Sequence, residues 1–370
     1  MEAGAQDPRN FSRSSFKPNL NLRSRPADIR CMRDAIKIIP GRARRKSRWL
    51  AAYALAFIIV TGGVIAALSG GHNGFPLAVT AFAFFVSVMP YSALLTTSFA
   101  RDLQISLRKR PLLVFLVPLA FFLTYLMYAV GTESFEWSAA LRLALFVLIP
   151  SGLSYAGHVR GRKISWLDAA AIAAVWMPFD LGWLASIWSW PAGEGAYVIN
   201  TAMAVVLAAV LFIGLRRFDH VSLRCSLNGR ELRSSILCLV GFLLLAIPFG
   251  FATDFISWNA KPIDLKTAIG TPLGILFFIA IPEELLFRGL VQNLFEKILP
   301  SKFKALVLAS LFFGLTHLNN EPQMDWRYIT LATTAGFFYG TAYQKSRSLI
   351  APALVHMLVD TLWVLLFLKI

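Results

Sequence analysis

The sequence predicts an all-α membrane protein, a polytopic transmembrane helical bundle of about eleven spans. Three observations carry this expectation. The 370 residues are 57% hydrophobic and only 15% charged. Apolar runs of roughly 18 to 22 residues, the length that crosses a bilayer, recur along the chain. Lys and Arg gather in alternate loops between those runs. The net charge of +16 therefore does not mark a nucleic-acid partner, since 13 of the 36 Lys and Arg precede residue 49 and most others lie in short loops. That distribution is a topology signal rather than a phosphate-binding groove.

Residues 1–48 are a basic tail, too long and too charged for a secretory n-region and without an apolar core of its own. It reads as a cytoplasmic topology anchor held near anionic headgroups. Glu2, Asp7, Asp28 and Asp34 dilute the acid-poor signature of an organellar transit peptide. Spans are expected at 49–68, 76–99, 111–130, 139–157, 165–188, 196–215, 235–252, 266–297, 304–318, 327–343 and 349–368. Loops on the side of the tail, such as RDLQISLRKR and QKSRS, are rich in Lys and Arg, whereas opposite loops such as GTESFEWS and NNEPQMDW are not and carry Trp. The alternation places the N-terminus in the cytoplasm of an integral, multi-pass protein, and an odd span count places the C-terminus outside. The chain divides into the tail at 1–48, an accessory transmembrane bundle at 49–260 and a C-terminal domain at 265–368. Cys31, Cys225 and Cys238 have no CxxC spacing, so they imply neither a disulfide framework nor a zinc knuckle.

Two spans are irregular. Span 266–297 is longer than a bilayer needs and contains Pro282, and span 304–318 is short and ends in THLNN. Such helices are tolerated at membrane depth where they line a cavity or pack on protein, so this is where a site can be built. Ionisable residues in hydrocarbon are costly unless paired or hydrated. Arg142 and Asp180, near the outer ends of the fourth and fifth spans, are expected to form a structural ion pair.

The remaining intramembrane polar groups lie in the last hundred residues. Glu283, Glu284 and Arg288 share one helix, with Glu284 and Arg288 at i,i+4 on one face and Glu283 turned about 100° from its neighbour. One carboxylate is then neutralised by the arginine while the other faces a cavity. Pro282 is expected to kink or restart the helix and to offer its positive N-terminus to both glutamates. The next span carries Phe313 and His317 four apart. The last carries His356 and Asp360 four apart, a spacing that lets the aspartate orient the imidazole. A lone histidine on an apolar face is more often a packed core residue than a catalyst. Two histidines, two glutamates and an aspartate on three neighbouring spans are harder to assign to a core.

In these residues the C-terminal domain resembles the CAAX prenyl protease 2-like, or CPBP, intramembrane proteases, also called the Abi family. The family signatures EExxxR, FxxxH and a terminal HxxxN or HxxxD look like Glu283-Glu284-xxx-Arg288, Phe313-xxx-His317 and His356-xxx-Asp360, in the same order. FxxxH alone is near noise in a Phe-rich membrane chain, whereas the three together inside spans are specific. The resemblance implies that the last four spans form a CAAX protease 2-like core. It also implies an intramembrane endopeptidase that hydrolyses a peptide bond in membrane-anchored or prenylated-type substrates.

The chemistry of the residues agrees, since hydrolysis needs a water, a base and a donor for the oxyanion. Glu283 is expected to be the base, because a carboxylate held in an apolar cavity is a stronger base than one in water. His317 would position the water or share its proton. His356, tethered by Asp360, would polarise the scissile carbonyl, and Glu284, Arg288 and Phe313 would support the site. The commonest family pattern ends in Asn, whose amide can donate, whereas an ionised Asp360 only accepts. This favours an orienting or metal-ligand role for Asp360. The resemblance leaves two schemes: zinc held by Glu283, His317 and His356, or a glutamate-activated water without metal. The chain has no HExxH, and the metal-free scheme is preferred.

Other classes fit less well. GLSYA at 152–156 lacks the last Gly of a serine nucleophile elbow, and Ser154 reads as a small residue at a helix contact. Asp180 and Asp360 have no accompanying GxGD, and GFFYG at 336–340 reads as GxxxG packing. A transporter would also hold Glu, His, Asp and Arg at mid-membrane, but with a repeat of broken segments that this sequence lacks. A catalytically inactive peptide-binding or immunity scaffold would be expected to lose some of these groups. The expected partners are a membrane-anchored peptide or protein substrate and the lipid bilayer.

Overall fold

The computed structural model describes residues 42–161, 163–190, 195–218, 221–223, 228–260, 263–320 and 324–369. Most of the expected cytoplasmic tail, together with Cys31 and Cys225, lies outside the described residues. Ser47–Ile370 packs as one unit. The described residues begin with α1 (Arg42–Ser69), α2 (Gly74–Thr96), α3 (Phe99–Lys109), and α4 (Leu116–Gly131) entered through a 3-10 turn at Pro111–Phe115. Next come α5 (Trp137–Arg160), α6 (Trp166–Asp180), α7 (Gly195–Ala208) continued by π-helical Ala209–Leu215, and α8 (Gly229–Ala252).

A helical run from Leu265 to Ile298 follows. It comprises α9 (Leu265–Ile275), a π-helical turn at Leu276–Ala280, α10 (Ile281–Glu284), a second π-helical stretch at Leu285–Gln292 and α11 (Asn293–Ile298). The chain closes with α12 (Lys302–Leu315), α13 (Trp326–Ser346) and α14 (Ile350–Leu366). Short strands β1 (Ile256–Trp258) and β2 (Phe367–Lys369) pair antiparallel, with Ser257 opposite Leu368.

The chain is thus an all-α membrane bundle. Among the described residues six helical stretches are long and apolar enough to cross a bilayer: Lys46–Ser69, Gly74–Thr96, Pro111–Gly131, Trp137–Arg160, Gly195–Leu215 and Gly229–Ala252. Most present large apolar side chains outward, as lipid contact allows; Phe57 and Leu244 are examples. Gly195–Leu215 differs, with 89% of its apolar window buried, which makes α7 the central post of the bundle.

Three expectations are corrected here. The fifth span, read as 165–188, is helical only to Asp180, after which Gly182 takes φ +66° and the chain turns. That turn also prevents the expected Arg142–Asp180 ion pair. It brings a carbonyl rather than the carboxylate to the arginine, which donates to Trp183 O at 3.2 Å and Ser138 O at 3.2 Å. A buried ion pair before α8 is instead Asp168–Arg216, joined at 2.6 and 2.9 Å, with Arg216 also donating to the carbonyls of Gly161 and Lys163. Its fork is filled on all sides, the condition under which a buried pair is tolerated.

The third correction concerns Pro282, at which the helix does not restart. Backbone angles stay right-handed helical through Ala280, Ile281 and Leu285. Proline lacks the N–H that would bond the carbonyl four or five residues back. Those carbonyls belong to Phe278 and Phe277, and each accepts a tyrosine hydroxyl: Tyr197 Oη on α7 at 3.1 Å and Tyr91 Oη on α2 at 2.6 Å. Whichever of the two loses its donor therefore has a replacement from the accessory bundle, and the run continues and presents no free N-terminus to the glutamates.

Helix α3 falls in what reads as a basic loop, RDLQISLRKR. Its charges face out, while Leu107 is buried and Gln104 donates to Ile213 O at 3.0 Å. In the C-terminal domain α12 and α13 meet over glycines, as the GxxxG reading expects. A Cβ at Gly336 would come 3.2 Å from Ser310 Cα, and one at Gly340 would collide with the Leu306 side chain. Tightest is Gly314, where a Cβ would lie 2.9 Å from the Ile329 carbonyl and collide with Thr333 Oγ1. Gly314→Ala is therefore expected to destabilise by about 1–3 kcal/mol through forced separation of α12 and α13. Gly152→Ala, which meets nothing within 4 Å, serves as the control in a thermal-unfolding comparison.

At the opposite end of α13, Asp325 caps the helix by accepting from Arg327 N at 2.9 Å. Arg327 reaches on to the carbonyls of Thr253 and Asp254 at the end of α8. Hydrogen bonding from Arg327 holds the Asp325 carboxyl below the usual carboxylate range.

Candidate active site

Four elements converge in the C-terminal domain: α10 with the π-helical stretch that follows it, the end of α12, the middle of α13 and the middle of α14. Glu284 is fully buried, and its Oε1 accepts from Arg288 Nη1 at 3.0 Å. Arg288 is itself buried, donates through Nη2 to Gly336 O at 3.1 Å, and lays its guanidinium 4.6 Å from the Phe313 ring centroid and 5.2 Å from that of Tyr339. The expected neutralising pair is formed, and two aromatic faces complete the shell of the cation.

Glu284 Oε1 also lies 2.9 Å from His356 Nδ1. Because that oxygen is already an acceptor for Arg288, the histidine proton belongs on Nδ1. Nε2, turned to the cavity, lies 3.4 Å from Asp360 Oδ2 and 3.9 Å from Glu283 Oε2, and because a carboxylate only accepts, Nε2 carries a proton as well. The tether expected from Asp360 is present, but the shorter bond comes from Glu284, 72 positions away in sequence. The imidazole stacks on Tyr339, with centroids 4.7 Å apart and planes 19° apart, and receives the edge of Phe313 at 6.0 Å.

His317 sits one turn beyond Phe313 at the end of α12, with Nδ1 2.9 Å from the Phe313 carbonyl. A carbonyl only accepts, so Nδ1 carries the proton and Nε2 is left as an acceptor. Its ring packs edge-on against Tyr328 at 5.1 Å. Phe313, expected as a supporting residue, is the floor shared by Phe287, Arg288, His317 and His356.

Glu283 has a different environment from Glu284. Its side chain is 34% exposed, and among the described residues it makes no hydrogen bond. It stands in the wall between two cavities. The larger, about 500 Å³, runs toward α6 and α7 and is bordered by Trp176, Phe179, Ala204 and Phe287. The smaller, about 360 Å³, holds His356, Asp360, Tyr328 and Tyr339. Tyr197, Glu283, His317 and Asn320 line both. The structure therefore brings together all of the residues singled out in the sequence, and adds Tyr197, Asn320, Tyr328 and Tyr339. No spacing rule marks the three tyrosines, which reach the site through tertiary contacts, whereas Asn320 follows His317 on the next turn.

The residues expected to hold zinc do not form a cage. Among the described residues no three His, Cys, Asp or Glu side chains are grouped so as to hold a metal ion. Glu283, His317 and His356 line one cavity. The arrangement offers instead a half-exposed carboxylate beside two imidazole Nε2 atoms, each ring fixed through its Nδ1, a set suited to proton transfer.

Residues 266–362 match the family described as type II CAAX prenyl endopeptidase, Rce1-like. The match spans about a quarter of the chain and contains every site residue named above except Tyr197 and the α6–α7 wall of the larger cavity. It supports an intramembrane CAAX-type endopeptidase in general terms. No curated protein and no solved structure matches the chain.

Proposed function

We propose, from the match of residues 266–362 to the Rce1-like family of type II CAAX prenyl endopeptidases, that this protein hydrolyses a peptide bond near the membrane anchor of a prenylated-type protein substrate. The observation that carries the reading is the contrast between adjacent carboxylates. Glu284 is fully buried and committed to Arg288 and His356, whereas Glu283 is uncommitted and faces two cavities.

In this reading Glu283 takes a proton from a water held near His317 Nε2, and the water oxygen attacks the scissile carbonyl carbon. The carbonyl electron pair moves to oxygen, and His356 helps polarise that bond. Collapse of the tetrahedral species breaks the C–N bond while Glu283 returns its proton to the leaving amine. Glu284 and Asp360 position His356. The gap of 3.9 Å between Glu283 Oε2 and His356 Nε2 is too long for a hydrogen bond and suits a bridging water. The larger cavity, lined mainly by apolar and aromatic groups, takes the apolar portion of the substrate. Its far wall is built by α6 and α7, so the accessory bundle at 49–260 and the protease domain at 265–368 both hold substrate. The tail and N-terminus are assigned to the cytoplasm on the distribution of basic loops.

The protein reconstituted in lipid vesicles, supplied with a farnesylated peptide ending in a CAAX sequence, is expected to release the C-terminal tripeptide. No release from the intact protein would sink the reading. The proposed water activation is metal-free, so chelator treatment is expected to leave the rate unchanged. Stoichiometric zinc in the purified protein, with activity lost on its removal, would establish the other scheme.

A further inference from the structure

Attack on a peptide carbonyl drives negative charge onto its oxygen, and donors aimed at that oxygen are usually the largest single contribution to rate. A carbonyl entering the junction of the two cavities meets the four residues common to both, Tyr197, Glu283, His317 and Asn320. Glu283 is the base. His317 has its Nδ1 proton directed at the Phe313 carbonyl. Tyr197 donates its hydroxyl to Phe278 O. Asp360, on the far side of His356, is a carboxylate, which as an anion accepts and cannot donate.

Asn320 remains. It is held on the turn after α12 by a bond from its own backbone N–H to the His317 carbonyl at 3.2 Å, which places it directly beyond the histidine. Its Nδ2 donates to Tyr328 Oη at 3.2 Å. A carboxamide nitrogen carries two hydrogens, so one fixes the orientation of the amide on Tyr328 and the other is available to a ligand at the junction.

We propose that Asn320 is a catalytic residue, the side-chain amide that donates to the carbonyl oxygen as it becomes an oxyanion, with Tyr328 as its positioning residue. The proposal rests on the protease reading of the same site. The water oxygen bonds to the carbonyl carbon and its proton goes to Glu283. The displaced π electrons settle on the oxygen that Asn320 Nδ2–H meets, and they return when the C–N bond breaks and Glu283 protonates the amine.

The test measures tripeptide release from the farnesylated peptide by vesicle-reconstituted intact protein, Asn320→Ala and Asn320→Asp. The aspartate variant keeps the size of the side chain but cannot donate when ionised. Both variants are expected to lower kcat by roughly 10²–10³, with KM within about twofold and the thermal midpoint of the intact protein. Loss confined to KM, or a kcat within threefold of the intact protein, overturns the donor role while leaving the protease reading in place. Absence of release from the intact protein overturns both.

Discussion

Glu283→Gln is expected to leave the protein folded and to slow tripeptide release by roughly 10²–10⁴. The substitution preserves shape and removes the ability to take a proton. Its structural cost should be small, because the fold does not hang on this side chain. Among the described residues Glu283 makes no hydrogen bond, its nearest charged partner is His356 Nε2 at 3.9 Å, and a third of its surface faces the cavities. The expected signature is a fall in kcat with KM and thermal midpoint near those of the intact protein, since an interaction made only in the transition state is removed. Glu284→Gln should behave differently, losing stability along with rate, because Glu284 is fully buried between Arg288 and His356. A Glu283→Gln protein that keeps its rate within tenfold would exclude this carboxylate as the base and leave Asp360, beside the same imidazole, as the next group to substitute.

The all-α bundle and the pairing of Glu284 with Arg288 are legible in the sequence because both follow from local rules. Span length is set by the bilayer, and an i,i+4 pair is set by helical pitch. The motif spacing likewise places Phe313 one turn from His317 and His356 one turn from Asp360. Long-range contacts were out of reach. Nothing near Asp168 announces Arg216, 48 positions on, and nothing near Pro282 announces that Tyr91 and Tyr197 will bond the carbonyls of Phe277 and Phe278.

The two π-helical stretches escape notice for a related reason. A turn that bonds five residues back leaves no distinct hydrophobic period, so the interrupted run reads as one long helix with a proline inside. Helix α3 was hidden by its charges, which mark a loop when only hydropathy is followed, although Leu103 and Leu107 stand four apart. Sequence spacing also favoured Asp360 as the tether of His356. The closer partner, Glu284, lies on another helix, and only packing brings it to Nδ1.

Replacing Arg288 by methionine is expected to cost about 3–5 kcal/mol of stability, the usual result of leaving a buried charge without its partner. The guanidinium does three things at once: it bonds Glu284, bonds the Gly336 carbonyl across to α13, and fills the space between the rings of Phe313 and Tyr339. Methionine fills the space but strands Glu284, whose second oxygen, Oε2, already has no hydrogen-bond partner. Arg288→Lys keeps a charge, yet a single ammonium cannot reproduce a planar fork that bonds two acceptors while lying on aromatic faces. It should fall between the two.

The decisive comparison is the double variant Glu284→Gln with Arg288→Met. If the cost arises from a stranded carboxylate, the double variant is more stable than Arg288→Met alone, although His356 loses its anionic tether and tripeptide release stays low. If the cost arises from lost packing against Phe313 and Tyr339, the two substitutions add and the double variant is the less stable. Denaturation midpoints of the single and double variants in one detergent separate the cases. Only the first keeps Arg288 as the group that allows Glu284 to stay buried and to hold His356 toward Glu283.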